Sequence, residues 1–139
     1  MKHVFVPTLI AITLGEPALA FGKVEGMDCG YPVTESEQAL CAEQGWMNAR
    51  DELNTLVSDM RNKIHAIEMT REPEERSALR TFEEAQRNWL IDYRKTCETF
   101  ANQVPSDEPQ HALMKYGCLA TQTKNRIEEL KDSVETIDN

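Results

Sequence analysis

The chain has 139 residues, of which 40% are hydrophobic and 28% charged, and its formal net charge is −9. This length gives room for one hydrophobic core but not for a second. The acidic balance disfavours nucleic acid as a ligand, because binding to phosphates needs a basic surface. It suits a cationic protein partner or, as the simpler alternative, solubility alone.

Residues 1–20 have the pattern of a cleavable signal peptide. Lys2 supplies the positive start, residues 4–14 the apolar stretch, and residues 18–20 (Ala-Leu-Ala) the small-residue cleavage site. The apolar stretch is too short to span a bilayer. We therefore expect cleavage after Ala20, a periplasmic or secreted protein, and no stable membrane anchor after cleavage. The alternative is that the stretch is retained as an anchor.

Four cysteines follow the predicted cleavage site: Cys29, Cys41, Cys97 and Cys118. An even number of cysteines in a small exported chain indicates two disulfides. The alternative, a zinc site of four thiolates, usually contains C-x2-C pairs, and these spacings are much wider. We predict disulfides and no metal.

The helical part of the chain begins after an irregular segment. Residues 21–33 include three glycines and a proline and predict irregular structure, and residues 34–139 predict a helical domain. Thr34 and Glu37 have the spacing of a capping box, which predicts a helix start. The core-facing stripe of this first helix repeats with a helical period and comprises Trp46, Ala49, Leu53, Leu56, Val57, Met60, Ile64 and Ile67.

A second helix is expected from Pro73, which suits a first turn because its missing N–H is no loss there. Its inner stripe comprises Leu79, Phe82, Gln86, Trp89, Leu90, Tyr93, Cys97 and Phe100. The first two helices share this period and can face each other as an antiparallel hairpin. Gln86 lies within the apolar stripe, so it needs a hydrogen-bond partner in the core.

Residues 104–109 (VPSDEP) predict the next turn, and a third helix follows over about residues 110–136. Its inner side carries Leu113, Tyr116, Ala120, Thr123, Ile127, Leu130 and Val134. No run of alternating β-branched residues indicates a sheet. The predicted fold is all-α: a disulfide-stapled antiparallel three-helix bundle with an irregular N-terminal segment.

The hairpin geometry favours one disulfide pairing. Cys97 and Cys118 are nearly equidistant from the centre of the 104–109 turn, so they come to the same height. Their bond leaves Cys29 to pair with Cys41. In an ideal third helix, however, Cys118 lies well off the inner stripe. All four cysteines belong to one end of the bundle, and the other two pairings stay open.

The residues that could carry chemistry do not form a catalytic pattern. His65 and His111 come at opposite ends of the predicted bundle, so they cannot share a metal or form a proton relay. The cysteines are assigned to disulfides, and paired glutamates such as Glu83 and Glu84 are typical of a solvated helix face. We predict no enzyme activity and no cofactor.

A set of polar and aromatic residues in the last two helices forms a candidate structural motif: Gln86, Arg87, Trp89, Tyr93, Arg94 and Arg126. Helical spacing favours core packing of the aromatic rings over a ligand platform. Trp89 and Arg126 come to about the same height, where a guanidinium can rest on or beside an indole. We interpret the set as structural, with a recognition role as the alternative.

The sequence resembles a family of small exported bacterial proteins, the N-terminal domain family of the lysozyme inhibitor LprI. The matching residues follow the family order: Cys29, Glu37, Cys41-Ala42, residues 51–54, residues 85–90, Tyr93-Arg94, Cys97, Cys118-Leu119, Thr123, Arg126 and Glu129-Leu130. Val57 departs from the pattern, because the family often has tyrosine there. The resemblance implies a helical, disulfide-stapled exported domain and, for some members, inhibition of host-type lysozyme.

From this resemblance and the charge we expect a binding protein that inhibits a lysozyme-type peptidoglycan hydrolase by occluding its cleft, with a cationic lysozyme as partner. The partner-binding candidates are Asp107, Glu108 and Gln110 in the predicted turn, which presents acidic and polar groups. The alternative is that this turn only caps the third helix. The alternative function is a periplasmic interaction or immunity protein that binds a non-lysozyme envelope partner or toxin.

Overall fold

The computed structural model describes residues 28–137, with side chains up to Val134. Its elements are α1 (Glu35–Glu68), a short 3₁₀ helix (Pro73–Glu75), α2 (Ala78–Ala101) and α3 (Pro109–Ile137), and the described residues contain no strand. The predicted all-α three-helix fold is confirmed. The predicted signal peptide and residues 21–27 of the irregular segment lie outside the described residues.

Helix α1 begins at a complete capping box, which confirms the predicted helix start. Thr34 has an extended backbone, and its hydroxyl accepts a hydrogen bond from the Glu37 N–H at 3.2 Å. The Glu37 carboxylate accepts from the backbone N–H groups of Thr34 at 2.9 Å and Val33 at 2.8 Å. Because these bonds favour the ionised form, they hold the pKa of Glu37 below its ordinary value.

The connection from α1 to α2 differs from the prediction, because Pro73 starts the 3₁₀ helix and α2 begins only at Ala78. The Ser77 side chain makes no capping bond. Instead, the carboxylate of Glu68, which is buried, accepts a hydrogen bond from the backbone N–H of Leu79 at 3.1 Å. The last turn of α1 therefore caps the first turn of α2.

Helix α3 is the centre of the packing. Helix α1 packs most extensively on α3, α2 packs on α3 to a smaller extent, and α1 and α2 touch least. The two outer helices thus both pack on α3, and the predicted contact between α1 and α2, which includes the 2.8 Å ion pair of Arg61 and Glu83, is the smallest of the three helix interfaces. Two clusters form the core, the larger built from Leu53, Val57, Met60, Ile127 and Leu130 and the smaller from Tyr93, Cys97 and Leu119. Leu119 was not part of the predicted stripe.

The predicted inner stripes of α1 and α2 are wrong at their C-terminal ends. Ile67 is 38% exposed and Phe100 is 43% exposed, whereas the residues that follow them, Glu68 and Ala101, are buried. An ideal angular count drifts over many turns of a long helix. At Glu68 the inward position is also favoured by the capping bond to Leu79.

Two disulfides join Cys29 to Cys41 and Cys97 to Cys118, each with a Cα–Cα distance of 5.5 Å. Both disulfides lie toward the end of the bundle that contains the starts of α1 and α3 and the end of α2. Cys97 is fully buried, whereas Cys118 is half-buried. The first bond ties the irregular segment to α1, and the second ties α2 to α3.

Within residues 28–137, no group of histidine, cysteine or acidic side chains is arranged to hold a metal ion. No helix in this described part combines the length and the apolarity needed to cross a membrane.

Candidate functional site

The three predicted partner-binding residues lie at the disulfide end of the bundle, Asp107 and Glu108 in the turn between α2 and α3 and Gln110 in the first turn of α3. Asp107, Glu108 and Gln110 are all exposed. Their side chains make no hydrogen bond or ion pair with any other residue that the structure describes. The two carboxylates and the amide therefore keep their full hydrogen-bonding capacity for water or for another molecule.

The base of this turn is fixed by short-range bonds. The Glu108 N–H donates to the Pro105 carbonyl at 3.1 Å, and the His111 N–H donates to the Glu108 carbonyl at 3.0 Å. The His111 ring is buried, and its Nε2 lies 3.3 Å from the Oδ1 of Asn102 at the end of α2. Together with the second disulfide, these contacts pre-organise the turn, which lowers the entropic cost of using it for binding.

The polar and aromatic residues of α2 and α3 form a link inside the bundle. Arg126 donates from Nε to Oε1 of Gln86 at 3.2 Å and from Nη1 to Oε2 of Glu129 at 3.1 Å. Its guanidinium carbon lies 5.7 Å from the Trp89 ring centroid. Trp89 stacks on Tyr93 with centroids 4.3 Å apart. Gln86 thus has the partner that its burial requires.

Arg87 and Arg94 lie outside this link. Both are exposed, and neither makes an ion pair or a hydrogen bond to another described residue. Each follows an inward residue of α2, Gln86 or Tyr93, by one position, so it is turned about 100° away from the core. The predicted six-residue motif therefore separates into four residues that meet and two that do not.

A second aromatic pair was not predicted from the sequence. Trp46 of α1 and Tyr116 of α3 have ring centroids 5.5 Å apart, and the Arg50 guanidinium carbon lies 5.1 Å from the Trp46 centroid. Burial raises the pKa of Tyr116, and the nearby carboxylate of Glu43 raises it further. The four-residue spacing of Trp46 and Arg50 on one helix could have predicted the contact between the guanidinium and the indole, but not the pairing of Trp46 with Tyr116.

A family model described as lysozyme inhibitor LprI matches residues 29–130, a range that contains both disulfides, the turn and the link between Gln86 and Arg126. No curated protein and no solved structure matches the chain. Because the family model covers more than half of the sequence, the protein belongs to the lysozyme inhibitor LprI family.

Proposed function

We propose that the protein is exported and inhibits a lysozyme-type peptidoglycan hydrolase by covering its substrate cleft with the turn between α2 and α3. Family membership supports an inhibitor of lysozyme. The observation that carries the choice of surface is the pair of exposed carboxylates, Asp107 and Glu108, held on a fixed base with no partner among the described residues.

Occlusion needs binding and no catalysis by this chain. A net charge of −9 attracts a cationic enzyme over long range and raises the association rate. At contact, the carboxylates and the Gln110 amide occupy positions where substrate groups would otherwise lie. The buried His111 and the second disulfide keep the turn in shape, so little ordering free energy is lost on binding. In this proposal the protein has no enzyme activity and uses no cofactor.

The two disulfides also support export, because such bonds persist in oxidising compartments such as the periplasm and the extracellular medium. We therefore place the protein's action in the envelope or outside the cell, where peptidoglycan and lysozyme-type enzymes meet.

A cell-wall lysis assay tests the function directly. Purified protein with its disulfides intact is titrated against a fixed amount of lysozyme, and we expect lysis to fall with added protein until inhibition saturates. The same protein after reduction and alkylation serves as the control and should inhibit less. Absence of inhibition at a large molar excess contradicts the proposal. In that case, recovery of a different envelope protein by affinity purification would favour the interaction or immunity function.

A further inference from the structure

A separate cleft lies on the face where α1 and α2 flank α3. It has a volume of about 230 Å³ and is lined by two residues from each helix: Trp46, Arg50, Arg94, Glu98, Lys115 and Leu119. The cleft does not include the acidic residues of the turn. The proposed inhibition makes no use of it.

The charge of this cleft is opposite to that of the whole protein. Three cations and one carboxylate line it, a local charge of +2 in a chain of net charge −9. Glu98 is bound to Lys115, with 2.8 Å between Oε2 and Nζ. Arg50 makes only an exposed 3.5 Å contact with its neighbour Asp51, and Arg94 has no ion pair with any residue that the structure describes. Two guanidinium groups are therefore available to an anion.

Trp46, which lines the cleft, carries an unused hydrogen-bond donor. Its indole Nε1 is buried and has no acceptor among the described residues. Buried donors in folded proteins are nearly always paired, so this unpaired donor is consistent with an acceptor that binds beside the Trp46 ring. The ring centroid lies 5.1 Å from the Arg50 guanidinium carbon and 5.5 Å from the Tyr116 ring centroid.

We propose that this cleft binds a carboxylate group, with Arg94 and Arg50 as its main ligands. A planar guanidinium matches a carboxylate through two parallel hydrogen bonds. The carboxylate of Glu98 repels a phosphate dianion more strongly than a singly charged carboxylate. The volume is below the roughly 300 Å³ at which pockets begin to hold drug-sized ligands. The ligand is therefore a small group, supplied either by an acidic side chain of a bound protein or by a free short-chain carboxylic acid.

Nuclear magnetic resonance of the indole N–H groups can test this binding. The Trp46 signal is assigned with Trp46→Phe, and sodium propionate, a singly charged carboxylate, is titrated at constant ionic strength against sodium chloride. We expect a saturable shift of the Trp46 signal and none of the Trp89 signal. Arg94→Gln should weaken binding about tenfold, the equivalent of one charge-assisted hydrogen bond. Arg80→Gln, on an exposed position of α2 outside the cleft, should leave it unchanged.

Two further titrations identify the source of the carboxylate. A peptide with blocked, uncharged termini and one glutamate represents an acidic side chain of a protein. The same peptide with glutamine in place of the glutamate is its control. Tighter binding of the glutamate peptide than of propionate assigns the cleft to a protein partner, and the reverse order assigns it to small acids. The proposal is overturned if no titration saturates, if Arg94→Gln and Arg80→Gln behave alike, or if inorganic phosphate binds more tightly than both carboxylates.

Discussion

Arg126 of α3 and Gln86 of α2 hold each other inside the bundle, with 3.2 Å between the Arg126 Nε and the Gln86 Oε1. The Arg126 side chain is only 15% exposed, and Gln86 is 7% exposed. Glu129 accepts a second bond from the guanidinium, and the Trp89 ring lies beside it. Apolar contacts alone permit several rotations of one helix on another, whereas a buried polar link with directional bonds favours one. This link therefore fixes the register of α2 on α3.

Gln86→Leu is expected to destabilise the protein although it keeps the side-chain volume. It removes the acceptor of a largely buried N–H group of Arg126, which should lower the free energy of unfolding by about 1–3 kcal/mol. Urea unfolding followed by circular dichroism measures the change. Arg87→Leu is the matched control, because the neighbouring side chain is exposed and unpaired within the described residues, and it should stay within about 0.5 kcal/mol of the parent. Equal losses in the two variants would contradict a structural role for the link.

The two disulfides should differ in their effect on stability. The loop closed by Cys97 and Cys118 spans 21 positions and joins two core helices, and its removal by the double alanine variant should cost roughly 3 kcal/mol. The bond between Cys29 and Cys41 spans 12 positions and ties down only the irregular segment. Its removal should cost less, because the freed segment gains entropy in the folded state too. Urea unfolding of the two variants is measured in parallel, and equal unfolding midpoints would refute this order.

Two helix-interior glycines offer stabilising substitutions. A Cβ built on Gly45 of α1 or on Gly117 of α3 meets no heavy atom within 4 Å. Alanine at either position reduces the entropy of the unfolded chain without a clash, so each substitution should raise the free energy of unfolding by about 0.5–1 kcal/mol. Thermal unfolding of each single variant checks this. A lowered midpoint would show that the absent side chain has a packing role.

The sequence predicted the helices well and their arrangement less well. The Thr34 and Glu37 spacing located the start of α1, since a capping box depends only on residues close in sequence. The central position of α3 was missed, because helical periodicity gives the apolar face of each helix but not the helix that covers it. The charged cleft around Trp46 was missed for the same reason, as its six lining residues come from three helices.

Acidification should weaken the fold through two glutamates. Hydrogen bonding to Lys115 lowers the pKa of Glu98, and backbone hydrogen bonds from Thr34 and Val33 lower that of Glu37, from an ordinary value of 4.5. A lowered folded-state pKa contributes stability that is fully present above the unfolded value and is lost as pH falls through the folded value. The urea concentration at the unfolding midpoint should therefore decrease as the pH is lowered below about 5. Glu98→Gln should make this decrease smaller. Glu84→Gln is the control, because Glu84 is exposed and has no partner among the described residues, and it should leave the pH dependence unchanged. If Glu84→Gln reduced the loss of stability as much as Glu98→Gln, the loss could not be assigned to Glu98.

The acidic turn should contribute to lysozyme binding through its position and not only through the total charge of the protein. Asp107→Asn combined with Glu108→Gln removes two exposed carboxylates from the proposed contact surface. At about 0.5 kcal/mol for each exposed charge, the pair should raise Kd roughly fivefold at low salt. Most of the loss should appear in the association rate and shrink as salt is added, because exposed charges are screened.

The matched control removes the same charge from the other end of the bundle. Glu74→Gln with Glu75→Gln changes two exposed glutamates of the 3₁₀ helix between α1 and α2, far from the turn. If the turn enters the cleft, this control should bind with nearly the parent Kd and inhibit lysis equally well. Surface plasmon resonance at several salt concentrations separates the two cases. Equal weakening by both pairs would show that only the net charge matters, and the turn would then lose its assignment as the contact surface.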